Sequence, residues 1–170
     1  MRPCAERHGE IRIKKWERYF VFPCNEPLSS AVRETPGTIT GRFDIKKADN
    51  DRRLAFGWAY VSQDTAGVQT EDWSGDQLVP EELESAAYQF VKLFREGGEM
   101  HERGGCAVLV ESMVFTKEKQ TALGIPEGTL PVGWWIGFEV TDPDVWAKVK
   151  DGTYPMFSIE GTAIREELEE

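Results

Sequence analysis

Two short segments carry the residue types that could do covalent chemistry together: Phe157-Ser158-Ile159-Glu160-Gly161 near the C-terminus and Met100-His101-Glu102 in a glycine-flanked loop. A serine hydroxyl becomes a nucleophile when a base with a near-neutral pKa takes its proton, and imidazole is the usual supplier. The other histidine, His8, falls in a Pro- and Ser-punctuated N-terminal stretch, which leaves His101 as the base candidate. A third, acidic member would orient the ring and stabilise the imidazolium. Glu111 fits by local chemistry, because it interrupts an apolar strand face between Leu109 and Met113, where a carboxylate costs free energy without a partner. Glu160 competes for that role; two residues along a strand from Ser158, it sits roughly 6–7 Å away, a spacing suited to a neighbour that tunes the site. Each of these residues also has a plain reading: a solvent-facing serine on a half-exposed strand, a loop histidine, a strand-edge glutamate. No Gly-x-Ser-x-Gly elbow surrounds Ser158. Cys106 is an alternative nucleophile close to His101 in sequence, but a free cysteine is more often a small buried hydrophobe, so it ranks below Ser158.

Several other chemistries are disfavoured. The net charge is −10, which argues against a nucleic-acid groove, since that needs Lys and Arg gathered on one face. Cys4, Cys24 and Cys106 are too few and too scattered for a disulfide framework and suggest a reducing compartment. With two His and no Cys-x-x-Cys there is no zinc spacing, and neither a Gly-x-x-x-x-Gly-Lys loop nor a Gly-x-Gly-x-x-Gly turn is present to hold a nucleotide. The acidic loop Asp64, Asp72, Asp76 lacks the regular spacing of a calcium loop. No cofactor is expected. No apolar run is long enough to span a bilayer, and residues 1–17 lack the apolar region of a secretory leader.

The elements that must position these side chains follow from periodicity. At 170 residues and 40% hydrophobic, the chain can bury one sizeable core. Residues 1–41 read as an arm or linker, with one strand over Trp16–Phe22 that could pair with the main body, and 42–170 as the compact domain. Phe43–Ala48 and Arg53–Val61 predict a hairpin; in its second strand Leu54, Phe56, Trp58 and Tyr60 share a bulky face assigned to the core, opposite the small residues Ala55, Gly57 and Ala59. Gln63–Gln77 reads as a polar loop. Pro80 opens a helix with Leu83, Ala86, Ala87, Phe90, Val91 and Phe94 on one apolar stripe, ended by Gly97-Gly98. Strands over Cys106–Phe115 and Val132–Val140 flank an exposed loop from Lys117 to Pro131. A short helix starts at Pro143, capped by Thr141 or Asp142 and stopped by Gly152, and a last strand over Tyr154–Ile164 carries Ser158 ahead of an acidic tail. Successive strands with short connections favour an antiparallel sheet or barrel decorated by helices, an α+β fold.

The ordered set of Phe56-Gly57-Trp58-Ala59-Tyr60, Trp73-Ser74-Gly75-Asp76, Met100-His101-Glu102, Val110-Glu111-Ser112, Gly133-Trp134-Trp135-Ile136-Gly137 and Phe157-Ser158-Ile159-Glu160-Gly161 resembles the XkdF-type phage serine proteases. These are relatives of the prohead maturation proteases, and the likeness runs from about Phe43 to Arg165. The resemblance implies a mostly antiparallel β-barrel surrounded by a few helices, like the herpesvirus assembly proteases. It also implies a serine endopeptidase that cleaves scaffold or major capsid protein inside assembling proheads in the host cytoplasm. His101 and Ser158 match the family's histidine and nucleophile; the third member varies in the wider group, so Glu111 rests on local chemistry alone. Relatives act as dimers, so a homodimer is expected, with no nucleic-acid or membrane partner. The rival readings are a non-catalytic capsid-assembly or scaffold-interaction domain on the same fold, and a small acidic interaction module unrelated to capsids.

Overall fold

The structure is a computed structural model that describes residues 9–15, 20–22, 38–49, 52–71 and 76–167, with side chains described for most of those positions between 45 and 159. Nine strands and three helices follow one another: β1 (Gly9–Lys15), β2 (Phe20–Phe22), β3 (Thr38–Asp49), β4 (Leu54–Gln63), β5 (Asp76–Leu78), α1 (Pro80–Leu93), β6 (Glu96–Glu99), β7 (Arg103–Phe115), α2 (Lys117–Ala122), β8 (Val132–Val140), α3 (Pro143–Lys150) and β9 (Met156–Glu167). The strands form one sheet in the order β2-β6-β7-β8-β4-β3-β9-β1-β5, mostly antiparallel, with β1–β5 and β2–β6 parallel. The class is therefore α+β, as expected, but the barrel is not. The sheet curls until β2 meets β9, yet that seam is one residue pair, Val21 with Ser158, rather than a ladder, and β5 remains an end of the strand order. A barrel removes its edges only when a continuous ladder closes the ring.

The central ladder β7-β8-β4-β3 carries the core. In β8, Val132, Trp134, Ile136, Phe138 and Val140 are buried, the strand's period of two setting them on one face. Strand β4 reverses the expectation: Ala55, Gly57 and Ala59 are buried, whereas Leu54, Phe56 and Trp58 are half-buried. The small face lets other elements come close, and a register shift between Trp58 and Tyr60 swings Tyr60 onto the buried side. Helix α1 lays Leu83, Ala86, Ala87 and Phe90 on this face, with the Phe90 ring edge-on to Trp134 at 5.6 Å and to Phe138 at 6.5 Å. Phe138 in turn meets Phe157 at 5.8 Å, so the residue next to Ser158 is anchored in the core.

Four further expectations are corrected, and a fifth is met only over part of its range. Helix α1 ends at Leu93 with Phe94 as its cap, and Gly97-Gly98 lies in β6; a Cβ at Gly97 would come 2.9 Å from that of Ala107, so glycine there serves strand contact rather than helix termination. The stretch after β7 is not all loop: Thr116 accepts a hydrogen bond from the Lys119 amide and caps α2. The polar loop before Pro80 ends in β5, parallel to β1. Of the Trp16–Phe22 strand, Phe20–Phe22 is β2, and residues 16–19 lie outside those described. The last strand reaches Glu167, where Gly9 pairs with it, so part of the acidic tail belongs to the sheet. Helix α3 matches its expectation: Asp142 Oδ1 accepts from the amides of Asp144 and Val145, and Val145, Trp146 and Val149 are buried.

Candidate active site

Strand β9 is held on one side by β3, where Arg42 pairs with Ser158, and on the other by β2, where Val21 does. Phe157 and Ile159 are buried, and Ser158 is only 2% exposed, so both faces of β9 are covered at this point. Strand β2 also pairs in parallel with β6, Val21 opposite Gly98. One strand thus lies between the serine's strand and the strand that leads into the His101 turn.

That turn is the device that delivers the imidazole. Glu102 donates its amide to the Glu99 carbonyl at 3.0 Å, and the two residues between, Met100 and His101, have φ of +54° and +58°. Positive φ at both central positions is the primed hairpin geometry, which usually falls to Asn-Gly because a Cβ is strained there, by roughly 1–2 kcal/mol per residue. Gly98 and Gly104 flank the turn, yet neither occupies its left-handed positions. From this turn His101 Nε2 comes 3.1 Å from Ser158 Oγ, joining residues 57 apart in the chain. When the neutral ring carries its proton on Nδ1, the Ser158 hydroxyl donates to Nε2, the arrangement in which imidazole can take the serine proton.

The other candidates fare differently. Glu111 is exposed on β7 opposite Gly137, eight residues beyond Arg103 and so about 25 Å of strand from the turn. The structure does not bring it to His101. Its break in the apolar face is explained by water: Glu111 faces solvent and needs no buried partner. Glu160 pairs through its backbone with Thr40 of β3, and its side chain lies outside those described. Cys106 is 1% exposed, its thiol directed to the Gly104 carbonyl at 3.7 Å, and burial pushes its pKa up, which disfavours the thiolate a nucleophile needs.

What the sequence reading missed is the cluster that braces the turn. Glu99 Oε2 accepts from Arg103 Nε at 2.8 Å, and its Oε1 accepts from Lys148 Nζ at 2.6 Å and from Tyr154 Oη at 2.6 Å. Arg103 Nη2 reaches on to Asp142 Oδ2 at 2.8 Å. Burial opposes ionisation of Glu99, but the hydrogen bonds from Lys148, Tyr154 and Arg103 outweigh it and hold the carboxyl at about 2. Glu99 raises the pKa of both Lys148 and Arg103, so all three stay charged at neutral pH. The opposite charges of Glu99 and Arg103, four apart across the turn, were the one legible sign; Lys148 and Tyr154 come from a distant helix and its exit.

Among the described residues no group of three His, Cys, Asp or Glu is set to hold a metal, and no helix is long and apolar enough to cross a membrane. A cleft lined by Asp64, Thr65, Lys117, Gln120, Glu127 and Gly128 opens between α2 and two loops and includes neither Ser158 nor His101.

The site thus sets a serine hydroxyl against an imidazole on a strand-rich α+β fold. Comparison with known proteins gives the family: residues 42–167 match the model of the one described as "Putative phage serine protease XkdF", and the chain belongs to it. It is similar to two proteins of Bacillus subtilis (strain 168), each over 123 residues, or 72% of this chain: the uncharacterized protein YqbD at 29% identity and the phage-like element PBSX protein XkdF at 28%. The match covers 35% and 41% of those two proteins, so the chain spans well under half the length of the curated relatives. No solved structure matches at a significant level.

Proposed function

We propose that this chain is a serine endopeptidase of a tailed phage or prophage that works by acyl transfer, with Ser158 as nucleophile and His101 as base. The observation that carries the reading is the 3.1 Å contact between His101 Nε2 and Ser158 Oγ. In the reaction the hydroxyl oxygen attacks the scissile carbonyl as its proton passes to Nε2. The imidazolium then protonates the departing amine as the C–N bond breaks, and water repeats the sequence on the acyl-enzyme to release the acid and restore the serine. The substrates in this reading are the scaffold and major capsid proteins of the same phage, cleaved inside the assembling prohead in the host cytoplasm by a homodimer. Its support is the family and the phage-element name of one relative.

One observation favours a second reading. Ser158 is 2% exposed, so a substrate carbonyl reaches its oxygen only if the cover moves; a non-catalytic assembly domain on this fold needs no such movement. Incubation of the protein with scaffold and capsid proteins of its own phage, followed by mass spectrometry of new termini, separates the two. The protease yields discrete new termini that vanish with Ser158→Ala. Uncut partners that nevertheless co-purify with the folded chain point to the assembly domain.

A further inference from the structure

The Met100-His101 turn puts two adjacent non-glycine residues in the left-handed region, φ +54° and +58°. Such backbone persists only where its surroundings over-determine it, and it gathers at sites where geometry matters more than stability. The surroundings here converge on one carboxylate. Arg103, on the far side of the turn, bonds Glu99 Oε2 and draws the two ends of the turn together. The same Arg103 bonds Asp142, the residue that caps α3. Lys148 from the last turn of α3 and Tyr154 from its exit both bond Glu99 Oε1, and to each other at 3.1 Å. Glu99 lies two residues before the imidazole, and Tyr154 lies four residues before the Ser158 hydroxyl. Tyr154 is 4% exposed, so this link is built into the interior rather than laid on the surface.

We propose that Glu99 is a positioning residue, whose carboxylate ties the turn carrying His101 to the segment that leads into the strand of Ser158 and so sets the distance between base and nucleophile. The proposal rests on the serine-hydrolase reading for its consequence but not for its geometry. Charge and hydrogen bonding together do the work: a carboxylate offers two oxygens to three donors, and charge-assisted bonds are shorter and stronger than neutral ones. The neutral amide of Glu99→Gln keeps the length of the side chain but offers a single acceptor oxygen.

The test uses the full chain and a fluorophosphonate probe, with kinact and KI measured separately, alongside the 15N resonances of the His101 ring. Glu99→Gln is expected to lower kinact at least tenfold with KI unchanged, and Tyr154→Phe, the milder variant should Glu99→Gln fail to fold, about threefold. Glu84→Gln is the control: Glu84 bonds Lys119 and Tyr88, the same trio of residue types, between α1 and α2. It should leave kinact unchanged. A folded Glu99→Gln or Tyr154→Phe that labels at the wild-type rate overturns the proposal, as does an equal loss in Glu84→Gln. If the wild-type protein takes no label at all, the hydrolase reading fails, and the ring resonances decide the positioning by themselves. A changed His101 Nε2 shift in Glu99→Gln supports it, and an unchanged one overturns it.

Discussion

The Glu99 cluster makes acid stability a quantitative test of what holds the turn. Its carboxyl is held at about 2 against an ordinary 4.5. A carboxylate whose folded pKa is depressed contributes stability that is fully present above the unfolded value and is lost as pH falls toward the folded one. The Glu99 contribution is therefore whole above about pH 4.5 and fades between there and pH 2. At 1.36 kcal/mol per pH unit the gap corresponds to about 3 kcal/mol. The side chains of Arg103 and Lys148 are 51% and 42% exposed, so water screens part of this, and about 1–2 kcal/mol is the expected size. Urea unfolding of the wild type and Glu99→Gln at pH 7, 5, 4 and 3 measures it, because the other carboxylates are common to both proteins and cancel. The two should differ by about 1–2 kcal/mol at pH 7 and 5, and the difference should shrink by pH 3. A difference that stays constant from pH 7 to 3, or none at any pH, refutes the reasoning that ionised Glu99 braces this hairpin.

Three further outcomes follow from the same geometry. In a Ser158→Ala background, where the serine contact is already gone, His101→Gly should raise stability by about 0.5–1 kcal/mol, because glycine occupies φ +58° without strain; a fall in the thermal midpoint would contradict the strained turn. Gly133→Ala should cost about 2–3 kcal/mol and roughly 4–12 °C in thermal midpoint, since its Cβ would stand 2.7 Å from the Tyr60 carbonyl and 3.2 Å from Val61 Cα, and backbone cannot rotate away. Gly124→Ala, with no atom within 4 Å of its Cβ and only a positive φ to violate, should cost less, and the reverse order would sink the argument. Native Cys106 should resist alkylation at pH 8 and react on unfolding; rapid modification of the folded protein would show the thiol to be neither buried nor held protonated.

How far the sequence could be read depended on how local the determining forces were. Helix α3 was legible to within one residue of its cap, Asp142 rather than Thr141, because the cap, Pro143 and the Val145, Trp146, Val149 spacing act within a few residues. In β8 the existence of the strand was legible, and its large residues Val132, Trp134, Ile136, Phe138 and Val140 all proved buried. Strand β4 misled because alternation does not say which face is inward: small residues let neighbours approach, and a register shift moved Tyr60 across. Ser158 and His101 could be named from residue type, but their meeting depends on the turn at 100–101 and on strands far apart in sequence. Glu111 drew attention as a carboxylate among apolar residues, a sign that loses its force when that face meets water. Glu99 drew none, because Lys148 and Tyr154 approach it only through tertiary packing.

The central claim is that the Ser158 hydroxyl and the His101 ring act as one nucleophilic unit. Peptide mapping of the folded, concentrated protein after fluorophosphonate treatment tests it most directly. The account predicts a covalent adduct on Ser158, absent in Ser158→Ala and formed at least a hundredfold more slowly in His101→Ala. An adduct that forms equally fast without the imidazole, or no adduct on Ser158 at all, would contradict it.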